Sequence, residues 1–280
     1  MANENVLQIQ DWNGPVGERW AAEQEATDPL IRPFGEAAMA AACVKAGERV
    51  LDVGCGCGDT SLALAGAAGS TGSVLGLDVS APMLAVARKR AAGVANLSFV
   101  EGDASRAELP GPFDLFYSRF GVMFFDEPEA AFRHMRGAMK PGGRLAFVCW
   151  QAAKDNPWAM VPALAARKAA EIHGPPADPH APGPFAFADA GRVKGILEAA
   201  GWARFDAQAF DGSMLLGSSV RSAAEQAMRM GPASRVAREA APEKLPSIAD
   251  AIEGALRPHA AADGSVALPA RTWVMTARAG

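Results

Sequence analysis

The sequence predicts an α/β protein built on a doubly wound, mainly parallel seven-stranded sheet with helical cap insertions. Three observations predict it. Short apolar or β-branched runs alternate with helix-period segments at the spacing of βαβ units. The first run ends in a glycine-rich turn that opens a helix. Two later stretches, beyond residues 150 and 217, interrupt the alternation with helical and proline-rich sequence.

Residues 15–26 read as a short helix with Pro15 in its first turn, Asp28-Pro29 as a break, and 30–44 as a second helix closed by Gly47. The run 49–53 has the form of a buried parallel strand. It is followed by helix 59–68, strand 73–77, helix 80–92 with Ser80 as candidate N-cap, and strand 97–100. Strand 113–117, helix 128–139 with Phe132, Met135 and Met139 on one face, and the apolar strand 143–150 continue the pattern. A helix-like stretch, 157–172, then runs into a loop too rich in proline and glycine for helix or central strand. Helix 189–200, stopped by Gly201, and strand 205–210 restore the α/β rhythm. A helical excursion over 219–259 precedes the last strand, 272–277, expected to run antiparallel. Within it Arg221, Glu225 and Arg229 stand at i, i+4 spacing, which describes a solvated helix face. The expected organisation is an N-terminal lid segment (1–29), a core (30–150), a cap insertion (151–188), core continued (189–217), a second helical insertion (218–263) and a final core strand (264–280).

Composition excludes several classes. Of 280 residues 50% are hydrophobic and 21% charged, too apolar for a disordered chain. No apolar stretch approaches the roughly 20 residues of a membrane span, and the polar start lacks a secretory pattern, so a cytoplasmic protein is expected. Lys and Arg number 27 against 31 Asp and Glu, a formal charge of −4, which argues against nucleic acid as a partner. The four cysteines form neither a disulfide framework nor a zinc spacing, and no metal is expected; Cys55 and Cys57 read as small side chains in a tight loop. The sequence leaves the oligomeric state open.

The informative segment is 50–59, Val-Leu-Asp-Val-Gly-Cys-Gly-Cys-Gly-Asp, a G-x-G-x-G turn between strand and helix. Glycines there let the chain turn sharply and let a ligand approach the backbone. The dinucleotide spacing G-x-G-x-x-G fails at both starts, because positions 59 and 61 hold Asp59 and Ser61. Asp59 would suit the helix dipole yet repel a pyrophosphate, so a cofactor without phosphates fits better. Asp78 ends the second strand, where a carboxylate can accept bonds from both ribose hydroxyls, and Asp103 follows the third. Any one of these acids could be a simple turn former. Three in register at the carboxyl ends of successive strands point to one crevice.

These segments, with 75–84 (LGLDVSAPML), 101–104 (EGDA), 113–125 (FDLFYSRFGVMFF) and 139–150 (MKPGGRLAFVCW), make the chain resemble class I S-adenosylmethionine-dependent methyltransferases of ubiquinone and menaquinone biosynthesis. The match covers about residues 30 to 150 and implies their Rossmann-like fold. It also implies S-adenosylmethionine as cofactor and S-adenosylhomocysteine as product. By that resemblance Gly54, Cys55, Gly56 and Gly58 pass under the methionine part of the cofactor, Asp52 lies near its ammonium and Asp78 holds the ribose. Val79 and Met83 would pack on the adenine, Asp103 would accept its amino group, the Ala104 backbone would contact the ring, and Ser118 would sit near the sulfonium.

Methyl transfer needs alignment and exclusion of water, and a base only where the acceptor must lose a proton. No catalytic motif is visible; at 117–120 the sequence Tyr-Ser-Arg-Phe lacks the D/N-P-P-Y/F motif in which amide- and amine-modifying nucleic-acid methyltransferases resemble one another. His173 and His180, in or beside the proline-rich loop, are the candidate bases. Trp20, with Trp12, would either close over the cofactor or staple its helix to the core, and Trp150 and Trp158 would either line an acceptor pocket or pack. The expected function is methyl transfer to a small, weakly charged organic acceptor beneath the insertions. The alternatives are an NAD(P)-dependent oxidoreductase and a non-catalytic S-adenosylmethionine-binding protein on the same fold.

Overall fold

The structure, a computed structural model, describes residues 4–172 and 178–280, with the backbone alone for 4–7. His173 lies outside the described residues. The chain divides into two compact units, one comprising Met1–Trp150, His180–Phe210 and Thr272–Gly280, the other Gln151–Pro179 and Asp211–Arg271.

The first unit holds helices α1 (Glu4–Asn13), α2 (Pro15–Ala22) and α3 (Gln24–Ala42), followed by β1 (Arg49–Val53), α4 (Asp59–Ala68), β2 (Ser73–Asp78), α5 (Ala81–Arg90) and β3 (Leu97–Glu101). Strand β4 (Phe113–Arg119), α6 (Pro128–Gly137) and β5 (Met139–Trp150) complete its first stretch. The second unit contributes α7 (Pro157–Ala169), and α8 (Ala190–Ala199) belongs to the first. Strand β6 (Trp202–Gly217) runs on into the second unit, which then holds α9 (Val220–Arg229), α10 (Pro232–Glu239) and α11 (Leu245–Leu256) before β7 (Val266–Ala279) returns.

The sheet order is β3-β2-β1-β4-β5-β7-β6. Parallel pairing sets Val53 beside Leu77, Asp52 beside Tyr117, and Asp78 beside Glu101, so the carboxyl ends of β1 to β4 open on one side of the sheet. The reversal of strand order between β1 and β4 makes that side the place where such sheets bind ligands. Strand β7 pairs antiparallel with β5, Arg144 facing Arg278 and Trp150 facing Thr272, as the sequence predicts. Leu51, Leu115, Phe116, Leu145 and Phe147 are fully or almost fully buried, the near-continuous apolar signature of strands covered on both faces.

Four sequence expectations change. Helix α3 starts at Gln24 and passes through Pro29 and Pro33 instead of breaking at 28–29. Tertiary packing overrides the local penalty, because Phe34 and Ala38 are fully buried and Asp28 bonds Gln24 at 2.5 Å and pairs with Arg90 at 2.9 Å. Residues 4–13 form a helix where none is expected. Strands β6 and β7 extend well beyond 205–210 and 272–277; the added part of β7 alternates in burial, but Ala267 and Pro269 at its exposed positions conceal this in the sequence. The 219–259 excursion is three α-helices, separated at Gly231-Pro232 and by a 3-10 turn opened by Pro242.

At the opposite, amino-terminal end of the sheet, Arg144 grips Glu48 with both guanidinium nitrogens (2.7 and 2.5 Å) and donates to the Ala42 carbonyl that ends α3 (2.9 Å). This fork joins helix and sheet through partly buried, charge-assisted bonds. Arg144→Ala should lower unfolding free energy by about 2 kcal/mol, seen as a lower urea midpoint. An unchanged midpoint would mean that solvent replaces the fork without loss.

Candidate functional site

The loop joining β1 to α4 is shaped by positive backbone angles. Gly54 has φ 68° and passes so close to Gly121 that a Cβ would lie 2.8 Å from its Cα; Gly56 has φ 54°, and a Cβ there would lie 2.7 Å from Met83 Cε. Both angles are ones that side chains rarely adopt, and at Gly54 the neighbouring backbone leaves no room for one, so the turn favours glycine. Met83, on α5, is buried against this turn.

Asp52 is fully buried beneath the loop. Its Oδ2 accepts from Thr60 Oγ1 (2.7 Å) and Ser61 Oγ (2.6 Å), both in the first turn of α4. Its Oδ1 is buried without a hydrogen-bond partner among the described residues. Burial pushes the carboxyl up to about 6, opposed by the two hydroxyls and by Arg119.

Asp78 ties two loops together. Oδ2 accepts from Gly56 N (2.7 Å) and Oδ1 from Ser80 N (2.9 Å), and its main-chain carbonyl accepts from Gly102 N (2.9 Å). Burial raises its carboxyl above the usual range against these backbone donors. The next residue, Val79, presents its carbonyl to Asn13. After β3, Asp103 Oδ1 accepts from the amide and hydroxyl of Ser105 (2.9 and 2.7 Å), forming a local turn that leaves Ala104 buried beside it. Ser118 is fully buried at the end of β4; it donates to Val53 O (2.7 Å) and accepts from Gly121 N (3.2 Å), clasping the tips of β1 and β4.

Cys55 and Cys57 are buried, and burial holds both thiols protonated, Cys57 at about 12 and Cys55 well above its ordinary value. No group of three or more His, Cys, Asp or Glu among the described residues could hold a metal ion. Trp20 is half-buried with its carbonyl 3.9 Å from the Cys57 sulfur, and Trp12 packs edge-on against both Trp20 and Phe124. Trp150 is buried and stacks on Phe120 at 4.2 Å, with Phe34 edge-on. Phe120 itself sits at φ 60°, an uncommon conformation for a bulky side chain. In the second unit, Trp158 donates to Asn156 Oδ1 (3.1 Å). His180 is exposed, three residues before Gly183, whose N–H donates to Met123 O (3.1 Å).

The expectation that Asp59 presents a repelling charge needs correction. It is paired with Arg119 (2.8 Å), Arg32 (2.9 Å) and Arg90 (3.4 Å), and Arg32 and Arg119 hold its carboxyl low despite burial. Asp28 joins the same cluster through Arg90, which also donates to Cys57 O (2.8 Å). Asp59 therefore anchors the loop through these ion pairs. None of these arginines carries a local sequence signal for this pairing, because Asp59 lies 27 to 60 residues from them.

Residues 50–143 match the model of a family described as a methyltransferase domain. The same region is similar to the demethylmenaquinone methyltransferase of Staphylococcus aureus, at 39% identity over 116 residues. Over residues 50–143 the chain is thus similar to methyltransferase domains. That alignment covers 40% of this chain and 46% of the relative, so the chain spans about half the length of the curated relatives it matches. Solved structures extend the likeness in fold beyond residues 50–143. The YcgJ protein of Bacillus subtilis superposes with a TM-score of 0.56 at 19% identity, covering 88% of this chain and 97% of that one. Phosphoethanolamine N-methyltransferase 2 of Haemonchus contortus, in complex with S-adenosyl-L-methionine, gives 0.56 at 15% identity, over 97% of this chain and 60% of that one.

The raised carboxyl of Asp52 has a consequence for stability. An aspartate of ordinary value near 3.9 when unfolded and about 6 when folded favours the native state below pH ~4 and loses that contribution as pH rises through 6, about 3 kcal/mol in all. Asp52→Asn should thus equal wild type near pH 4 and exceed it at pH 7.5 in urea titrations. A variant less stable at pH 7.5 than at pH 4, relative to wild type, would contradict this assignment.

Proposed function

We propose that this protein transfers a methyl group from S-adenosylmethionine to a small organic acceptor. The observation that carries the reading is the buried, unpartnered Oδ1 of Asp52 beneath a turn whose glycines have positive backbone angles. A ligand with an ammonium group would complete that oxygen's bonding, and the methionine part of the cofactor has one. The family match over 50–143 and the relatives' names support the same cofactor.

The residues fit the cofactor as a set. Gly54, Cys55, Gly56 and Gly58 would lie along its methionine part, and Asp52 would face the ammonium. An ionised carboxylate has about four acceptor positions. Asp78 accepts from the backbone amides of Gly56 and Ser80, with Val79 beside them, and a position left over would take a ribose hydroxyl. Val79, Met83, Asp103 and Ala104 would bound the adenine, while Trp20 would cover the loop and Ser118 would set the floor near the sulfur. When bound, the cofactor supplies an electrophilic methyl on a sulfonium and leaves as S-adenosylhomocysteine. The chain's contribution is alignment and a dry setting, with Phe120 and Trp150 as the apolar surface at the ends of β4 and β5. His180 would serve as base for a hydroxyl acceptor.

Two of the three named proteins carry an organic acceptor in their names, demethylmenaquinone and phosphoethanolamine; the acceptor here is proposed to be small and, from the apolar Phe120 and Trp150, weakly charged. No described helix is long and apolar enough to cross a membrane. The net charge of −4 supports the exclusion of nucleic acid as acceptor.

Calorimetry should show S-adenosylhomocysteine binding without comparable binding of NAD or NADP, and labelled S-adenosylmethionine should yield methylated product from a metabolite library. Asp78→Ala should weaken that binding by about 2 to 4 kcal/mol, roughly 30- to 1,000-fold. An ionised Asp52 is needed opposite the ammonium, so the dissociation constant should rise toward tenfold per pH unit below about 6. Tight dinucleotide binding, or an unchanged constant in a folded Asp78→Ala protein, would refute the reading.

A further inference from the structure

Helices α1 and α2 meet the β2–α5 turn through an unusual exchange of hydrogen bonds. Ser80 occupies the N-cap of α5, yet its side chain makes no capping bond; its hydroxyl donates to Trp12 O at 2.7 Å. The first amide of the helix, Ala81 N, donates instead to Asn13 Oδ1 (2.9 Å). The same side chain's Nδ2 donates to Val79 O (2.7 Å) and to Ile9 O (3.0 Å). Asn13 therefore caps α5 from 68 residues away and holds the peptide on either side of Ser80.

The fit is close enough to forbid a side chain at the corner. A Cβ on Gly17 would lie 1.8 Å from Trp12 O and 2.6 Å from Ser80 Oγ. Ser80 is fully buried, so its hydroxyl has no solvent to turn to if this contact is lost. Ser80 N in turn donates to Asp78 Oδ1, and Asp78 Oδ2 receives Gly56 N. An unbroken chain of bonds thus runs from the N-terminal helices to the acid at the end of β2 and on to the glycine loop.

We propose that Asn13 is a positioning residue that fixes the Asp78–Val79 turn for the nucleoside half of the cofactor, so that the N-terminal helices set cofactor affinity through this side chain. The proposal rests on the S-adenosylmethionine reading. Asn13 is exposed, and its removal leaves the packed core untouched, so its effect should be local.

The test compares wild type, Asn13→Ala and Asp52→Asn for binding of S-adenosylhomocysteine and of adenosine alone, with amide hydrogen exchange of the ligand-free proteins. Asn13→Ala should raise both dissociation constants about tenfold and speed exchange at Ser80, Ala81 and Gly56, while the amides of β1 and β4 and the melting temperature stay near wild type. Asp52→Asn should weaken only the homocysteine-bearing ligand, since adenosine lacks the ammonium. A general loss of structure would instead speed exchange throughout the sheet and overturn the positioning role. Unchanged affinities and unchanged exchange at Ser80 and Ala81 would overturn it as well. If wild type binds neither ligand, the cofactor reading fails and the positioning role with it, whereas wild-type binding that Asn13→Ala leaves intact sinks the positioning role alone.

Discussion

The structure depends most on a carboxylate placed where it is poorly solvated. Asp52 sits in the second-to-last position of β1, paired in register with Gly76 and Tyr117, and its burial is complete. One oxygen is satisfied by Thr60 and Ser61, which draws the first turn of α4 under the strand end; the other faces no donor. A buried acceptor left unpaired costs about 1 to 3 kcal/mol, more when ionised. Such a cost is tolerated at sites where a ligand offsets it. The raised carboxyl is the electrostatic expression of the same fact, because desolvation opposes the charge that a cation would restore.

The loops around that carboxylate are tied to one another more than to the sheet. Asp78 joins the glycine loop to the β2–α5 turn, and Ser118 joins the β1 tip to the chain leaving β4. Arg119, at the end of β4, reaches Asp59 on α4, and Arg90 on α5 reaches Asp28, Asp59 and the Cys57 carbonyl. These pairs are largely shielded, so their attraction is stronger than that of exposed ion pairs. A loop fixed from several sides loses little freedom when a ligand arrives, and preorganisation of this kind favours both affinity and alignment.

What the sequence discloses follows from the range of the interactions. The glycine spacing, the strand-end acids and the alternation of strand and helix are local patterns, and they place Asp52, Gly54, Gly56, Asp78 and Met83 around one turn. The continuity of α3 through Pro29 and Pro33 was not legible, since it depends on the burial of Phe34 and the bonding of Asp28 to residues far along the chain. Asp59 misled for the same reason: its charge is visible in the sequence, while the arginines that neutralise it are distant. Ser80 has the residue type of an N-cap, yet Asn13 makes the bond to the first amide of the helix. The added half of β7 alternates in burial, yet Ala267 and Pro269 at exposed positions hide the period, and among the candidate bases only exposed His180 falls within the described residues.

The account turns on the state of Asp52, and carbon-13 NMR of its side-chain carboxyl reads that state directly. In the ligand-free protein the signal should titrate near pH 6. With saturating S-adenosylhomocysteine it should remain ionised to well below pH 5, because the ammonium stabilises the charged form. A carboxyl that titrates near 4 in the free protein, or whose titration the ligand leaves unmoved, would contradict the central claim that this buried oxygen is the seat of a cationic ligand group.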